Sequence, residues 1–293
     1  MQASNKLITQ HCLEDMCAAL EAAGLYFGHG TDNAWDEACW LLETVLKRKG
    51  VSQLRLDSVL TADHLQDVTK LLHARISSHK PLAYLLQEAW FCGLLFYVDE
   101  RVLVPRSPLA ELIRNQFEPL LTVAPTRILD LCTGGGCIGI ACAMAFPDAA
   151  VVLSDISAQA LEVTAINISK FKLAGRVSAL KSDLFESVTD CFDLIVSNPP
   201  YVAVDEYENL PAEYHCEPQL GLVTGKQGLE IPLLILQQAA KYLNSQGVLL
   251  LETGATWPAL VAACPQVPFI WIEFECGGEG VCMLTKEQLV QYF

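Results

Sequence analysis

A chain of 293 residues that is 52% hydrophobic and 18% charged is too apolar to be disordered, and is long enough for one large domain or a small one joined to a medium one. No apolar run approaches the roughly 20 residues that cross a bilayer, and Met1-Gln2-Ala3-Ser4-Asn5-Lys6 lacks the basic start and apolar stretch of a signal peptide. The net charge of −15 speaks against a nucleic-acid surface, which needs clustered cations against phosphates.

The first 80 residues predict helices. Trp35, Ala38, Cys39, Leu42, Val45 and Leu46 recur at helical spacing behind Asn33, a suitable N-cap, and Lys47-Arg48-Lys49-Gly50 is a stop signal. Leu65, Val68, Leu72 and Ile76 mark a second amphipathic helix that should end before Pro81. Residues 81–105 change character. Ala89-Trp90-Phe91-Cys92-Gly93-Leu94-Leu95-Phe96-Tyr97-Val98 is aromatic and β-prone with a turn at Gly93, and Arg101-Val102-Leu103-Val104 is short and apolar, so a linking β-hairpin is expected here. Pro105-Arg106-Ser107-Pro108 then opens a helix expected to reach about Phe117.

From Arg127 onward strands and helices alternate, which predicts an α/β fold with a mostly parallel sheet covered on both faces. The strands are centred on Ile128-Leu129-Asp130-Leu131, Val151-Val152-Leu153-Ser154-Asp155, Val177-Ser178-Ala179-Leu180, Leu194-Ile195-Val196 and Gly247-Val248-Leu249-Leu250-Leu251-Glu252. Phe269-Ile270-Trp271-Ile272-Glu273-Phe274 and Val281-Cys282-Met283-Leu284, around Gly277-Gly278-Glu279-Gly280, predict a C-terminal antiparallel hairpin.

Twelve cysteines include no Cys-x-x-Cys pair, and six histidines repeat no zinc pattern. The cysteines read as reduced, mostly buried residues of a cytosolic protein, and no metal site is expected. Charge is unevenly spread: Ser182 to Gly225 contains no Lys or Arg, yet holds Asp183, Glu186, Asp190, Asp193, Asp205, Glu206, Glu208, Glu213 and Glu217. Such a stretch either solubilises the surface or steers a basic partner.

Two segments carry chemistry. After the first strand of the alternating region, Asp130-Leu131-Cys132-Thr133-Gly134-Gly135-Gly136-Cys137-Ile138-Gly139 satisfies G-x-G-x-x-G, and Asp155 follows at the next strand end. The glycines admit a ligand to the backbone, and the next helix offers N–H groups to an anion. Two cofactors fit: a nicotinamide dinucleotide through its pyrophosphate, or S-adenosylmethionine through its carboxylate. Asp155 can accept ribose hydroxyls in either case, and Asp130 can hold an ammonium that only the second has. Asp183 and Leu184, after the third strand, can take an adenine amine and cover its ring. The other segment is Asn198-Pro199-Pro200-Tyr201, directly after a buried strand. Its prolines end ladder pairing and leave carbonyl acceptors, one amide and one aromatic face, a set suited to a planar amine or amide.

The glycine loop, Asp155, Asp183, Asn198-Pro199-Pro200-Tyr201 and the terminal hairpin together resemble the class I S-adenosylmethionine-dependent methyltransferases, with their Rossmann-like sheet. The tetrapeptide narrows the resemblance to enzymes that methylate planar nitrogens. Pro81, Tyr84-Leu85, Phe91, Phe96, Val98 and Val102-Leu103-Val104-Pro105-Arg106 are similar to the protein glutamine methyltransferases, which add a small helical N-terminal domain and a linking hairpin. Ser107-Pro108, Gly28-His29-Gly30-Thr31-Asp32-Asn33, Ala89-Trp90-Phe91-Cys92-Gly93 and Gly277-Gly278-Glu279-Gly280-Val281 resemble the branch acting on large-subunit ribosomal protein L-three. The chain departs from the pattern at Gly135, where serine is expected, and at Cys276, where asparagine is expected.

The resemblance implies a helical substrate-recognition domain over 1–80, a linking hairpin over 81–105 and a methyltransferase domain over 106–293. It implies S-adenosyl-L-methionine as methyl donor, leaving S-adenosyl-L-homocysteine, held by Asp130, Thr133, Gly134, Gly136, Asp155, Asp183, Leu184 and Asn198. Catalysis would fall to Asn198, Pro199, Pro200 and Tyr201, with the Asn198 side-chain oxygen and the Pro199 carbonyl accepting the two N–H bonds of a glutamine amide. The implied partner is a basic protein, ribosomal protein L-three, in the cytoplasm, with no direct nucleic-acid or membrane binding. Four other readings compete: a release-factor glutamine methyltransferase, a nucleic-acid adenine methyltransferase, a nicotinamide dehydrogenase, and a non-catalytic ribosome-assembly scaffold. Ser107-Pro108 stands against the first, the acids against the second, and Asp130 with the terminal hairpin against the third.

Overall fold

The computed structural model describes residues 8–293, so the N-terminal stretch read above for a leader lies outside the described residues. The chain splits into two compact units. One runs to Glu88 and takes in Pro211–Cys216; the other comprises Ala89–Leu210 and Glu217–Phe293.

The first unit is built from α1 (Thr9–Ala22), α2 (Ala34–Arg48), α3 (Ala62–Ser78) and a short α4 (Leu82–Leu86). Side chains set two of the helix starts: Asn33 accepts the Asp36 N–H, and Thr61 forms a reciprocal capping box with His64. Helix α2 carries Asp36 and Glu37 in its first turn and Lys47 and Arg48 in its last, the distribution its dipole favours. Leu13, Met16 and Leu20 pack with Leu41, Leu42, Val45, Val68, Leu82 and Leu86 into one core. Beside that core lies Arg75, 1% exposed, which donates to Glu37 Oε1 at 2.7 Å, to Glu213 Oε1 at 3.1 Å and to the Tyr26 carbonyl at 3.0 Å.

The second unit opens with an antiparallel hairpin, β1 (Ala89–Phe91) and β2 (Leu94–Phe96), which turns on Cys92 and Gly93, both at positive φ. The pairing is shorter than the expected 81–105 span. Leu82–Leu86 is helical, and Arg101-Val102-Leu103-Val104 forms no strand because its N–H groups go elsewhere: Arg101 to the Asp99 carboxylate, Val102 to the Asp99 carbonyl and Val104 to Glu217. Helix α5 (Leu109–Arg114) also stops short of Phe117, since Gln116 and Phe117 take left-handed φ of 51° and 59° and Phe117 turns fully into the core.

Strands and helices then alternate as expected: β3 (Arg127–Leu131), α6 (Cys137–Ala145), β4 (Ala150–Asp155), α7 (Ala158–Lys170), β5 (Val177–Lys181) and β6 (Phe192–Ser197). Short α8 (Val204–Tyr207) and α9 (Gln219–Leu222) precede α10 (Glu230–Ala239), β7 (Leu243–Glu252), α11 (Trp257–Ala263), β8 (Ile270–Trp271), β9 (Val281–Thr285) and α12 (Lys286–Tyr292). Strands β3 to β9 form one sheet in the order β5-β4-β3-β6-β7-β9-β8. The ladders from β5 to β7 are parallel, and β9 is antiparallel to both its neighbours. The terminal hairpin is thus present but reshaped. Strand β9 inserts between β7 and β8, and only Ile270 and Trp271 of the expected first arm are strand. The chain then leaves the sheet, with the Glu275 and Cys276 N–H groups bound by the Glu111 carboxylate.

Alternate strand residues enter opposite cores. Ile128, Leu194, Val196, Val248 and Leu250 pack with residues of α5 and α6, while Leu129, Leu131, Ile195, Leu249 and Leu251 pack with residues of α10 and α12. Burial on both faces explains why these strands read as continuous apolar runs. The strand order reverses at β3: the chain passes to β4 and β5 on one side, then returns to β6 on the other. A crevice at the carboxyl ends of β3 and β6 is the place such sheets use for ligands.

All twelve cysteines are free thiols, and only Cys12, Cys142, Cys264 and Cys282 are fully buried, fewer than expected. Among the described residues no helix is long and apolar enough to cross a membrane.

Replacing Arg75 with alanine removes the guanidinium that the buried Glu37 and Glu213 carboxylates share. The expected loss is about 3–5 kcal/mol of unfolding free energy in the first unit. Denaturant titration combined with amide exchange in α2 and α3 measures it, and unchanged protection would show that the ion cluster does not hold the helices.

Candidate active site

Strand β3 delivers Asp130 with 0% exposure. Its Oδ2 accepts the Thr133 hydroxyl at 2.5 Å and the Gly139 N–H at 2.8 Å, bracing the glycine loop from beneath. Its Oδ1 has no hydrogen-bond partner among the described residues. Burial pushes the Asp130 carboxyl up to about 7, against the pull of those two hydrogen bonds.

In the loop itself Gly134 and Gly136 take left-handed φ of 54° and 84°, and Gly136 is the N-cap of α6. Gly139 answers a different need: a Cβ there would lie 2.1 Å from Leu153 Cδ2 and 2.8 Å from Asp130 Cβ. At Gly135 an added Cβ would meet Val102 at 3.4 Å, an ordinary contact, so no steric demand explains glycine in place of the expected serine.

The neighbouring strand ends complete the loop's surroundings. Half-buried Asp155 accepts the Gly134 N–H on Oδ2 and the Ser157 N–H on Oδ1, each at 2.8 Å. Each oxygen keeps lone-pair capacity for another donor. Burial raises this carboxyl as well, opposed by the Ser157 and Gly134 N–H groups. Beyond β5, the Ser182 N–H donates to the Asp155 carbonyl at 3.0 Å, Asp183 is exposed, and half-buried Leu184 takes a φ of 44°. The next side chain, Phe185, is fully buried and stacked on Tyr242 at 4.6 Å, which anchors that turn.

On the other side of β3, β6 ends at Ser197, whose hydroxyl donates to the Leu131 carbonyl at 2.7 Å. Asn198 follows half-buried, Pro199 buried, and Pro200 and Tyr201 half-buried. The chain leaving the tetrapeptide is held by hydrogen bonds between Val202 and both Leu222 and Thr224, and by Val204 N–H to the Gly225 carbonyl. Tyr201 donates its hydroxyl to Glu252 Oε1 at 3.1 Å, and Thr256 Oγ1 donates to the Tyr201 carbonyl at 2.8 Å. Glu252, 3% exposed at the end of β7, accepts Ser107 Oγ–H on its other oxygen at 2.5 Å. Burial pushes the Glu252 carboxyl up to about 7, opposed by Ser107, Tyr201 and Arg106.

The structure therefore joins Asp130, Thr133, Gly134, Gly136 and Asp155 in one hydrogen-bonded loop system, with Asp183 and Leu184 at the β5 end beside Asp155. Asn198, Pro199, Pro200 and Tyr201 stand at the adjacent end of β6. Several contributors were missed in the sequence. Thr164 donates to the Gly134 carbonyl at 2.7 Å, and Asn167 to the Gly135 carbonyl at 2.8 Å. Their signal is two polar residues among Ala160, Val163 and Ile168 on the buried face of α7. Glu252 had the same signal as Asp130 and Asp155, an acid near the end of an apolar strand.

The acidic stretch needs correction as a uniform face. Asp193 accepts the Thr126 and Arg127 N–H groups and the Asn244 amide, and Asp190 pairs with Arg127 at 2.6 Å. Glu213, 1% exposed, is held by Arg75; Glu217, 4% exposed, takes both arms of the Arg106 guanidinium at 2.7 and 2.5 Å. Asp193, Glu213 and Glu217 are thus fastenings within the fold, whereas the Asp190 pair lies on the surface. Asp183, Glu186, Asp205, Glu206 and Glu208 remain exposed.

Comparison with known proteins gives a consistent result. The family model of the methyltransferase small domain matches residues 111–212. A ribosomal protein uL3 glutamine methyltransferase of Francisella tularensis subsp. tularensis is 45% identical over 277 residues, covering 93% of this chain and 88% of that protein. Its counterpart from Neisseria meningitidis serogroup A is 42% identical over 293 residues, covering 99% of this chain and 97% of that protein. Among solved structures, the hMettl16 catalytic domain in complex with MAT2A 3′UTR hairpin 6 shares the fold at a TM-score of 0.50 and 15% identity, over 84% of this chain and 90% of that one.

The glycine loop supplies its own test. Gly139→Ala should lower stability by about 1–3 kcal/mol, the usual range for forced overpacking, whereas Gly135→Ser should be close to neutral. Urea unfolding of the two variants measures both, and equal stabilities would refute the packing assigned to Gly139.

Proposed function

The chain belongs to the family of ribosomal protein uL3 glutamine methyltransferases, and from that membership we propose that it methylates the side-chain amide nitrogen of a glutamine in ribosomal protein uL3. The observation that carries the proposal is the placement of Asn198-Pro199-Pro200-Tyr201 on the strand next to the glycine loop, joined through Ser197 Oγ and the Leu131 carbonyl. S-adenosylmethionine is the methyl donor; when bound it supplies an electrophilic methyl on a sulfonium.

The residues present fit that donor. Backbone groups at Thr133, Gly134 and Gly136 line the loop, and Asp155 retains acceptor capacity for a ribose diol. Asp183 and Leu184, at the end of β5, are assigned to the adenine amine and ring face. Asp130 Oδ1 is a buried acceptor with no partner among the described residues, which fits a donor that brings an ammonium.

The acceptor side follows from elementary amide chemistry. A glutamine nitrogen is a weak nucleophile because its lone pair is delocalised into the carbonyl, so the site must orient it. Asn198 Oδ1 and the Pro199 carbonyl accept its two N–H bonds and hold the nitrogen in line with the departing methyl. Positive charge developing on nitrogen meets these dipoles and the Tyr201 ring instead of water. Among the described residues no hydrogen bond occupies the Asn198 side chain, which leaves it available. The proton is shed readily after transfer, so no side chain in the tetrapeptide has to titrate. The exposed acids Glu186, Asp205, Glu206 and Glu208 suit a basic protein substrate in the cytoplasm and disfavour nucleic acid. The helical unit is assigned to holding that substrate.

Labelled S-adenosylmethionine offered with purified uL3 and release factor in separate reactions, followed by mass spectrometry, tests the proposal. The expected label is on a uL3 glutamine side chain, and labelling of the release factor alone would overturn the assignment. Asn198→Ala should stay folded and lose roughly 10²–10³ in turnover, as when one preorganised polar group is removed; near-normal turnover would remove Asn198 from the role.

Asp130 adds a pH dependence. Its carboxyl is pushed up to about 7 by burial, so at lower pH it keeps a proton in the free protein. A bound ammonium favours the ionised form, so cofactor binding releases that proton, and affinity should rise as pH climbs from about 5.5 to 7 and then level off. Calorimetry should show this slope in the wild type and its absence in Asp130→Asn; equal slopes would remove Asp130 from the ammonium site.

A further inference from the structure

Tyr201 is held more firmly than a residue offering only a ring face requires. Its hydroxyl donates to Glu252, and its carbonyl accepts from Thr256 Oγ1. Two glycines make room for it: a Cβ at Gly254 would lie 2.6 Å from Tyr201 Cε2, and one at Gly228 would lie 2.2 Å from the Tyr201 carbonyl oxygen. Glu252 is itself fixed from the opposite direction. Ser107 donates to Oε2, and Ser107 Oγ accepts the Leu109 N–H at 3.2 Å. An unbroken hydrogen-bond chain thus runs from the start of α5 through Ser107 and Glu252 to the phenol. A carboxyl that is 3% exposed carries a desolvation penalty. Apolar residues such as Leu249, Leu250 and Leu251 fill the preceding positions of the strand, so packing alone does not account for an acid at its end.

Amide geometry supplies the missing reason. Two N–H bonds donated by the target amide to Asn198 Oδ1 and the Pro199 carbonyl locate its nitrogen but permit the amide plane to tilt about the line joining the two acceptors. Nucleophilic density lies perpendicular to that plane. One face must meet the methyl, and the opposite face needs a wall that does not move. A ring free to swing about χ1 would let the amide tilt out of line, whereas a ring pinned at its hydroxyl cannot.

Resting on the glutamine-methylation reading, we propose that Glu252, held by Ser107, is a positioning residue that locks the Tyr201 phenol as the back wall of the target-amide site. Three variants test it. Tyr201→Phe removes only the O–H, Glu252→Gln keeps shape and one acceptor, and Ser107→Ala releases the far end of the chain. With uL3 as acceptor, Tyr201→Phe and Glu252→Gln should each lower kcat about 3–10-fold, the size of one hydrogen bond, and Ser107→Ala should act in the same direction. Cofactor Kd should stay unchanged. The double variant Tyr201→Phe/Glu252→Gln should be no slower than the slower single one, because both act through the same Tyr201–Glu252 contact. Multiplying effects, or a Glu252→Gln enzyme with wild-type kcat and only a lowered Tm, would overturn the proposal. Carbon-13 at tyrosine Cζ, assigned with Tyr201→Phe, reads the lock without turnover: the Tyr201 resonance should move in Glu252→Gln and in Ser107→Ala. An unmoved resonance overturns the positioning role by itself, whereas wild-type protein that labels no glutamine overturns the functional reading instead.

Discussion

Parallel pairing of β3 with β6 is the constraint on which the rest of the site depends. Leu131 pairs with Ser197, and the Ser197 hydroxyl closes on the Leu131 carbonyl. The residues that follow each partner, the glycine loop on one side and Asn198-Pro199-Pro200-Tyr201 on the other, therefore emerge side by side. A slip of one residue would turn every side chain of the strand to the opposite face, and register is guarded by apolar residues that fill both cores. Ile128, Leu194 and Val196 pack with α5 and α6 residues, and Leu129, Leu131 and Ile195 with α10 and α12 residues. The glycine loop and the tetrapeptide are thus brought side by side by hydrophobic burial on both faces of the sheet.

Three acids near strand ends share a chemical type and differ in what surrounds them. Asp130 has no exposed surface and spends one oxygen on the loop beneath which it lies. Asp155 is half-buried and ties two turns by their N–H groups while keeping acceptor capacity. Glu252 receives two hydroxyls and connects α5 to the tetrapeptide. Desolvation raises all three carboxyls, and the hydrogen bonds each receives oppose it. Glycines perform the complementary task. Gly134 and Gly136 supply left-handed turns, while Gly139, Gly228 and Gly254 let Asp130 and Tyr201 approach without a Cβ in the way.

Much of the fold was legible because it rests on local pattern. The apolar runs of β3, β4, β6 and β7, the Asn33 cap and the Cys92-Gly93 turn all express rules that act over a few residues. The glycine loop and the tetrapeptide were legible for the same reason. What could not be read depends on partners far apart in the chain. Nothing near Glu217 indicates that Arg106 will clasp it, or near Glu213 that Arg75 will, so both acids read as surface charge. Likewise Glu252 gained meaning only beside Tyr201 and Ser107. Residues 101–104 looked like a strand because Val102, Leu103 and Val104 are apolar, yet Asp99 and Glu217 capture N–H groups that a strand would have paired. The insertion of β9 between β7 and β8 is a matter of sheet order, which periodicity does not encode.

The most direct measurement is a crystal structure with S-adenosylhomocysteine and a glutamine-containing uL3 peptide bound together. The expected result places the homocysteine sulfur over the glycine loop and the glutamine amide nitrogen opposite it, its two N–H groups on Asn198 Oδ1 and the Pro199 carbonyl, with the Tyr201 ring behind. A glutamine side chain seated away from the ends of β3 and β6, or an Asn198 turned from the amide, would contradict it.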